Sequence, residues 1–167
     1  MRAELWRRLR LSLERFERAV AEGGVPVTRI VSRGRSIGSS AARGRRFHRS
    51  FASMPLEELA ERWEGALPLA WRFRFGWVYG IADSVVVDGD EVAVIELKSG
   101  EVTRGAREQV SIYALLAMLN LARRPRAYVR TPSGLVEVGE WELLALEALE
   151  RFARRGPVGL GRARTAR

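Results

Sequence analysis

Leu5, Leu9, Leu13, Phe16 and Val20 recur near helical spacing among arginines and glutamates, and predict an amphipathic helix over residues 3–21. Gly23 and Gly24 mark its stop. Residues 25–40 show no period. Pro26, Gly34, Gly38 and a Ser39-Ser40 pair, with Arg29, Arg33 and Arg35 between them, predict an irregular basic loop. Residues 41–51 read as a short helix whose Phe47 and Phe51 share a face at i and i+4. A third helix is expected over residues 56–63 behind Pro55.

The period then changes from helical to two. Trp71, Phe73, Phe75, Trp77 and Tyr79 alternate with Arg72, Arg74, Gly76 and Val78, which predicts a strand with one aromatic face. Such a stripe can stack bases, but a sheet face packed on helices needs the same pattern and is the better reading. Residues 81–87 and 91–98 flank Asp88-Gly89-Asp90 as a hairpin. Residues 104–121 predict a long helix. Residues 126–130 and 135–138 form a second hairpin around Pro132-Ser133-Gly134, and a closing helix follows over 141–153. The last residues are mostly glycine and arginine, with little to bury, and predict a flexible basic tail over 155–167. Residues 1–154 fit one domain, long enough to bury a core without staples.

Composition narrows the chemistry. The chain has no cysteine, which excludes disulfides, thiolate metal sites, iron–sulfur clusters and a cysteine nucleophile. Charges interrupt residues 1–20 too often for a signal peptide or a membrane span, so a cytoplasmic location is expected and a membrane partner is not. The formal charge of +9 favours polyanionic partners. Arginine-rich coding or adaptation to heat explains the general composition equally well. Neither explains where the rare residues fall. Of 29 lysines and arginines only Lys98 is lysine, and His48 and Gln109 are the sole histidine and glutamine.

The rare residues gather around two carboxylates. Asp83 lies in the first strand of the first hairpin. Glu96 and Lys98 end the second at i and i+2, so they point to one face. Two carboxylates make a hard-oxygen site suited to Mg²⁺ or Mn²⁺, and a neighbouring ammonium can position water or offset charge on a phosphate. Alone, Glu96-Leu97-Lys98 describes an exposed ion pair more readily than a site. The flanking residues change that balance.

Gly80-Ile81-Ala82-Asp83, then Val94-Ile95-Glu96-Leu97-Lys98, then Gln109-Val110-Ser111-Ile112-Tyr113, preceded by Gly44-Arg45-Arg46-Phe47-His48, closely resemble the motifs of the PD-(D/E)XK nuclease superfamily. The likeness is to its RecB-like branch, which includes the CRISPR-associated RecB-type nucleases. The four motifs fall within residues 44–113 in the order of that branch. The resemblance implies an α/β, restriction-endonuclease-like core with a mixed central β-sheet flanked by helices. It implies that His48, Asp83 and Glu96 ligate Mg²⁺ or Mn²⁺, with the Leu97 carbonyl as a further ligand. The imidazole would favour Mn²⁺ more than an all-oxygen site does. Lys98 would position the attacking water and stabilise the transition state, with Gln109 and Tyr113 beside it.

The expected activity is metal-dependent hydrolysis of DNA phosphodiesters, exonucleolytic or endonucleolytic. Phosphate contacts are expected from Arg33, Arg35, Arg43, Arg45, Arg46, Arg104 and Arg107. Arginine could not replace Lys98 without loss, because its guanidinium is broad, planar and effectively always charged. Many CRISPR-associated relatives bind an iron–sulfur cluster through four cysteines, and this chain has none. The alternatives are a Holliday-junction resolvase, a non-catalytic DNA-binding subunit of a repair or CRISPR complex, and a general arginine-rich RNA-binding protein. A homo-oligomer and a subunit of a larger DNA-processing complex both remain open.

Overall fold

The computed structural model describes residues 2–31 and 62–156. Helix α1 (Arg2–Ala21) buries Leu5, Leu9, Leu13, Phe16 and Ala19, whereas Val20 lies on the exposed side. The buried stripe advances by three residues from Phe16 rather than four. Ala19 keeps this contact small, and Gly24 closes the turn by donating to the Ala19 carbonyl at 2.8 Å. A Cβ on Gly24 would sit 2.9 Å from both Ala19 O and Trp77 Cβ, so only glycine fits there.

Residues 25–31, expected to be irregular, are ordered as strand β1 (Val25–Pro26) and helix α2 (Val27–Val31). Val27 and Ile30 decide this: both are buried against the core, and tertiary burial overrides the loop-like composition. The rest of the expected loop, the helix expected over 41–51 and the tail from 157 lie outside the described residues.

Strand β2 (Arg62–Phe73) replaces the end of the helix expected over 56–63. Leu67, Leu69, Trp71 and Phe73 point into the main core, so a period of two runs through this stretch back to Trp63. The aromatic run is not one strand. It turns at Arg74 and Phe75 into strand β3 (Gly76–Asp88), with Phe73 opposite Gly76. Trp71 and Phe73 consequently pack in the main core, while Trp77 and Tyr79 lie on the opposite face with Phe16 and Ala19 of α1. Helix α1 shields the outer edge of β2, where Ser12 donates to the Pro68 carbonyl at 2.7 Å. Proline suits that edge because it has no N–H to leave unpaired.

Strand β3 carries a bulge at its middle. Gly65 faces Val85 while Leu67 faces Ala82, so Ala66 stands against two residues, Asp83 and Ser84. Core-facing positions therefore shift from Val78 and Ala82 before the bulge to Val85 and Val87 after it. The inner edge of β3 also changes partner there. Its Val78 and Tyr79 pair in parallel with β1, whereas Ser84 to Asp88 pair antiparallel with strand β4 (Glu91–Leu97). Asp83 lies where the two partnerships part.

Helix α3 (Arg104–Leu121) follows as predicted, capped by Thr103, whose hydroxyl accepts from the Ala106 N–H at 3.1 Å. Strand β5 (Arg126–Thr131) runs parallel to β4, and β6 (Gly134–Glu137) completes the second hairpin. Helix α4 (Trp141–Arg155) packs antiparallel on α3, pinned by Arg124–Glu142 at one end and Arg151–Glu108 at the other. It includes Arg154 and Arg155, which the sequence assigned to the end of the domain and the start of the tail. The architecture is α/β: a mixed six-stranded sheet flanked by helices. Among the described residues no helix is long and apolar enough to cross a membrane.

Candidate functional site

The bulge lifts Asp83 out of the regular alternation, and β4 ends beside it. The Leu97 N–H donates to Asp83 Oδ2 at 3.0 Å, so a side chain takes over the role that a β3 carbonyl would fill if the ladder continued. On its other side β4 stays aligned with β5, and the Lys98 N–H donates to the Arg130 carbonyl at 2.9 Å. Glu96 and Lys98 are thus fixed by β5, and Asp83 reaches them from β3.

Glu96 faces inward and is only 3% exposed. Its Oε1 accepts from Lys98 Nζ at 2.9 Å, and its buried Oε2 has no hydrogen-bond partner among the described residues. Burial, and then the charge of Asp83, push the Glu96 carboxyl up to about 7 although the Lys98 ammonium pulls it down. The two carboxyl groups are close enough for the charge on one to hinder ionisation of the other. When both are ionised, neither can donate, and the orphaned oxygen then needs a donor or a cation from elsewhere.

Lys98 Nζ also donates to Gln109 Oε1 at 2.9 Å. Two of the three ammonium donors are spent on positioning, which leaves one for a ligand. Gln109 projects from the second turn of α3. One turn on, Tyr113 is buried against β3 at Gly80, where a Cβ would lie 2.7 Å from Tyr113 Cε1 and 2.8 Å from its hydroxyl. That glycine sets how closely α3 approaches the sheet.

The structure therefore brings together Asp83, Glu96, Leu97, Lys98 and Gln109, with Tyr113 one turn further along α3 against Gly80. Of the expected phosphate contacts, Arg104 and Arg107 are exposed on the first turn of α3, and Arg104 Nε donates to Glu108 at 2.9 Å. His48, Arg33, Arg35, Arg43, Arg45 and Arg46 lie outside the described residues. Among the described residues no three His, Cys, Asp or Glu side chains form a metal-holding group. Asp83 and Glu96 are two carboxylates, one residue short of such a group.

Sequence reasoning missed two features of α3. Buried Glu108 holds both Arg104 and, at 2.7 Å, Arg151 of α4. Asn120, the sole asparagine, is buried; it donates to the Ala70 and Leu116 carbonyls and accepts from Arg15 at 2.9 Å. Its rarity was a signal of the same kind as that of Lys98.

No protein-family model matches the chain, and no curated protein matches it. Among solved structures, the chain is similar to one described as "Crystal structure of SSO0001", with 13% sequence identity over 83% of this chain and 82% of that chain and a TM-score of 0.34.

Proposed function

We propose that this chain is a metal-dependent deoxyribonuclease of the PD-(D/E)XK type, RecB-like in its motifs, acting on DNA in the cytoplasm. The observation that carries the reading is the ammonium of the sole lysine, held between Glu96 and Gln109 beside Asp83. A structural ion pair needs no second carboxylate, no buried orphan oxygen and no amide to orient the lysine.

The residues present fit a divalent cation. Asp83 and Glu96 would hold it, with His48 and the Leu97 carbonyl as the further ligands that the resemblance implies. Such a cation supplies a more acidic water and charge stabilisation at the phosphate. The protein supplies the rest. Leu97 N–H fixes the Asp83 carboxylate, and Gln109 with Glu96 fixes Lys98, which keeps one N–H for the nucleophilic water or a phosphate oxygen. Preorganisation of this kind avoids rearrangement as charge develops.

The test is cleavage of single-stranded, duplex and junction DNA with Mn²⁺, Mg²⁺ or chelator, using the unsubstituted protein and Asp83→Ala. Metal-dependent cleavage that the substitution abolishes is the expected result. Equal cleavage by both proteins, or none by either with any metal, rejects the reading. Cleavage confined to four-way junctions would favour a resolvase instead.

A further inference from the structure

The tip of the β2–β3 hairpin presents an aromatic stack to solvent. Phe75 is 39% exposed although it is a large apolar side chain at a turn. One face lies on Phe73, with centroids 5.7 Å apart and rings 6° from parallel, and Phe152 of α4 contacts it at 6.0 Å. The ring is thus held in place from two sides while part of it stays open. Arg74 beside it is exposed, and Arg155 lies one turn beyond Phe152 on α4.

Contacts, alternating with chain neighbours on α3 and α4, lead from this tip to the carboxylate site. Lys98 bonds Gln109; the adjacent Glu108 holds Arg104 and Arg151; Arg151 precedes Phe152; Phe152 touches Phe75. Glu108 is buried, and one carboxylate against two guanidiniums leaves net positive charge. Each guanidinium keeps further N–H donors for an anion.

We propose that the Phe73–Phe75 stack is a base-stacking subsite for single-stranded nucleic acid, with Arg104 and Arg151 contacting the phosphates between it and the carboxylates. This rests on the nuclease reading for the direction of the track, but the stack itself is read from ring geometry and charge. A ring braced by two neighbours and still partly exposed can stack a base on its open part, and arginines complement the phosphates. Strand rise places Phe75 at most about 26 Å from Asp83, within reach of a short single strand. The arrangement predicts that a single-stranded extension of the substrate, rather than its duplex part, meets the hairpin tip.

The experiment is fluorescence anisotropy with an oligothymidylate about 15 nucleotides long and with a blunt duplex, using the full chain carrying Asp83→Ala to prevent cleavage. Phe75→Leu keeps apolar packing and loses stacking; it is expected to weaken single-strand binding about tenfold while duplex binding is unchanged. Phe75→Trp should retain or strengthen single-strand binding, and Arg151→Gln should weaken it and lower its salt dependence. Circular dichroism checks each fold, and the Trp variant carries the test if Leu unfolds the tip. Single-strand binding unaltered in Phe75→Leu, or weakened by Trp as much as by Leu, overturns the proposal. So does attachment of the tip to anionic vesicles in preference to oligonucleotide. Metal-dependent cleavage by the unsubstituted chain is read separately. If cleavage is absent while Phe75→Leu selectively loses single-strand binding, the nuclease reading fails and the subsite stands. If cleavage is present while Phe75→Leu binds normally, only the subsite fails.

Discussion

Tyr113 lies so close to Gly80 that a single methyl group added to the glycine would stand 2.7 Å from the tyrosine ring. The two residues belong to α3 and β3, and their contact sets the separation between the helix that carries Gln109 and the strand that carries Asp83. Gly80→Ala is expected to destabilise the fold by about 1–3 kcal/mol, as overpacking does. It should also reduce cleavage at temperatures where the protein is fully folded, because Tyr113 or the helix that carries it must shift. Thermal denaturation and cleavage, measured together with Gly80→Ala/Tyr113→Leu, check this. The double variant should recover part of the lost stability, since the clash is between those two side chains.

Lys98→Arg keeps the charge and changes its shape. The guanidinium is too broad to replace an ammonium held between Glu96 and Gln109. Cleavage is expected to fall by about a hundredfold or more, comparable to losing a transition-state donor. DNA binding measured with chelator should change by only a few-fold, because the number of positive charges is unchanged.

Glu96 makes stability depend on pH in the direction opposite to most carboxylates. Its carboxyl titrates at about 7 in the folded chain against an ordinary 4.5. Between those values the folded state keeps a proton that the unfolded state has lost. The contribution is fully present below 4.5 and is lost as pH rises through 7. Metal-free protein should lose roughly 3 kcal/mol across that window at this group alone. Glu96→Gln should flatten that part of the curve in thermal melts. Mn²⁺ should raise the melting temperature of the unsubstituted protein most at the alkaline end, where both carboxylates are charged.

Asn120 offers a control that separates fold from chemistry. Asn120→Leu keeps the branched outline of the side chain, though it is bulkier, and leaves the Ala70 carbonyl and the Arg15 guanidinium without their buried partner. A loss of about 1–3 kcal/mol is expected in denaturant melts. Cleavage per folded molecule should stay within a few-fold of the unsubstituted protein, because Asn120 touches none of the groups around Lys98.

The helix carrying Gln109 and Tyr113 was legible in the sequence from end to end, as was the hairpin turning at Gly89. In both, local pattern and tertiary burial agree. Strand pairing alone allowed Asp83, Glu96 and Lys98 to meet, but their reading as a site, and the place of Gln109 beside them, came from the resemblance to a family's motifs. The turn at Arg74 and Phe75 was not, because those two residues continue the polar–apolar alternation across the tip and only Gly76, with φ of +129°, departs from it. The aromatic run thus read as one face and is in fact divided between two. The bulge at Asp83 was hidden for a related reason: Val85, Val86 and Val87 suit either side of a sheet, so they do not show where the alternation slips. Burial of Glu108 depends on Arg151, far along the chain, and no local pattern announces it.

The extra residue in β3 also sets what length changes the chain can tolerate. Deleting Ser84 would restore an uninterrupted ladder with β2 and, in the same step, draw Asp83 into the register of its neighbours. Insertions at Gly89, by contrast, lengthen an exposed turn and leave the carboxylates where they are. The centre of this sheet is therefore less permissive of insertion and deletion than its rim, and the acid stands in the middle of a hydrophobic strand because one residue there is in excess.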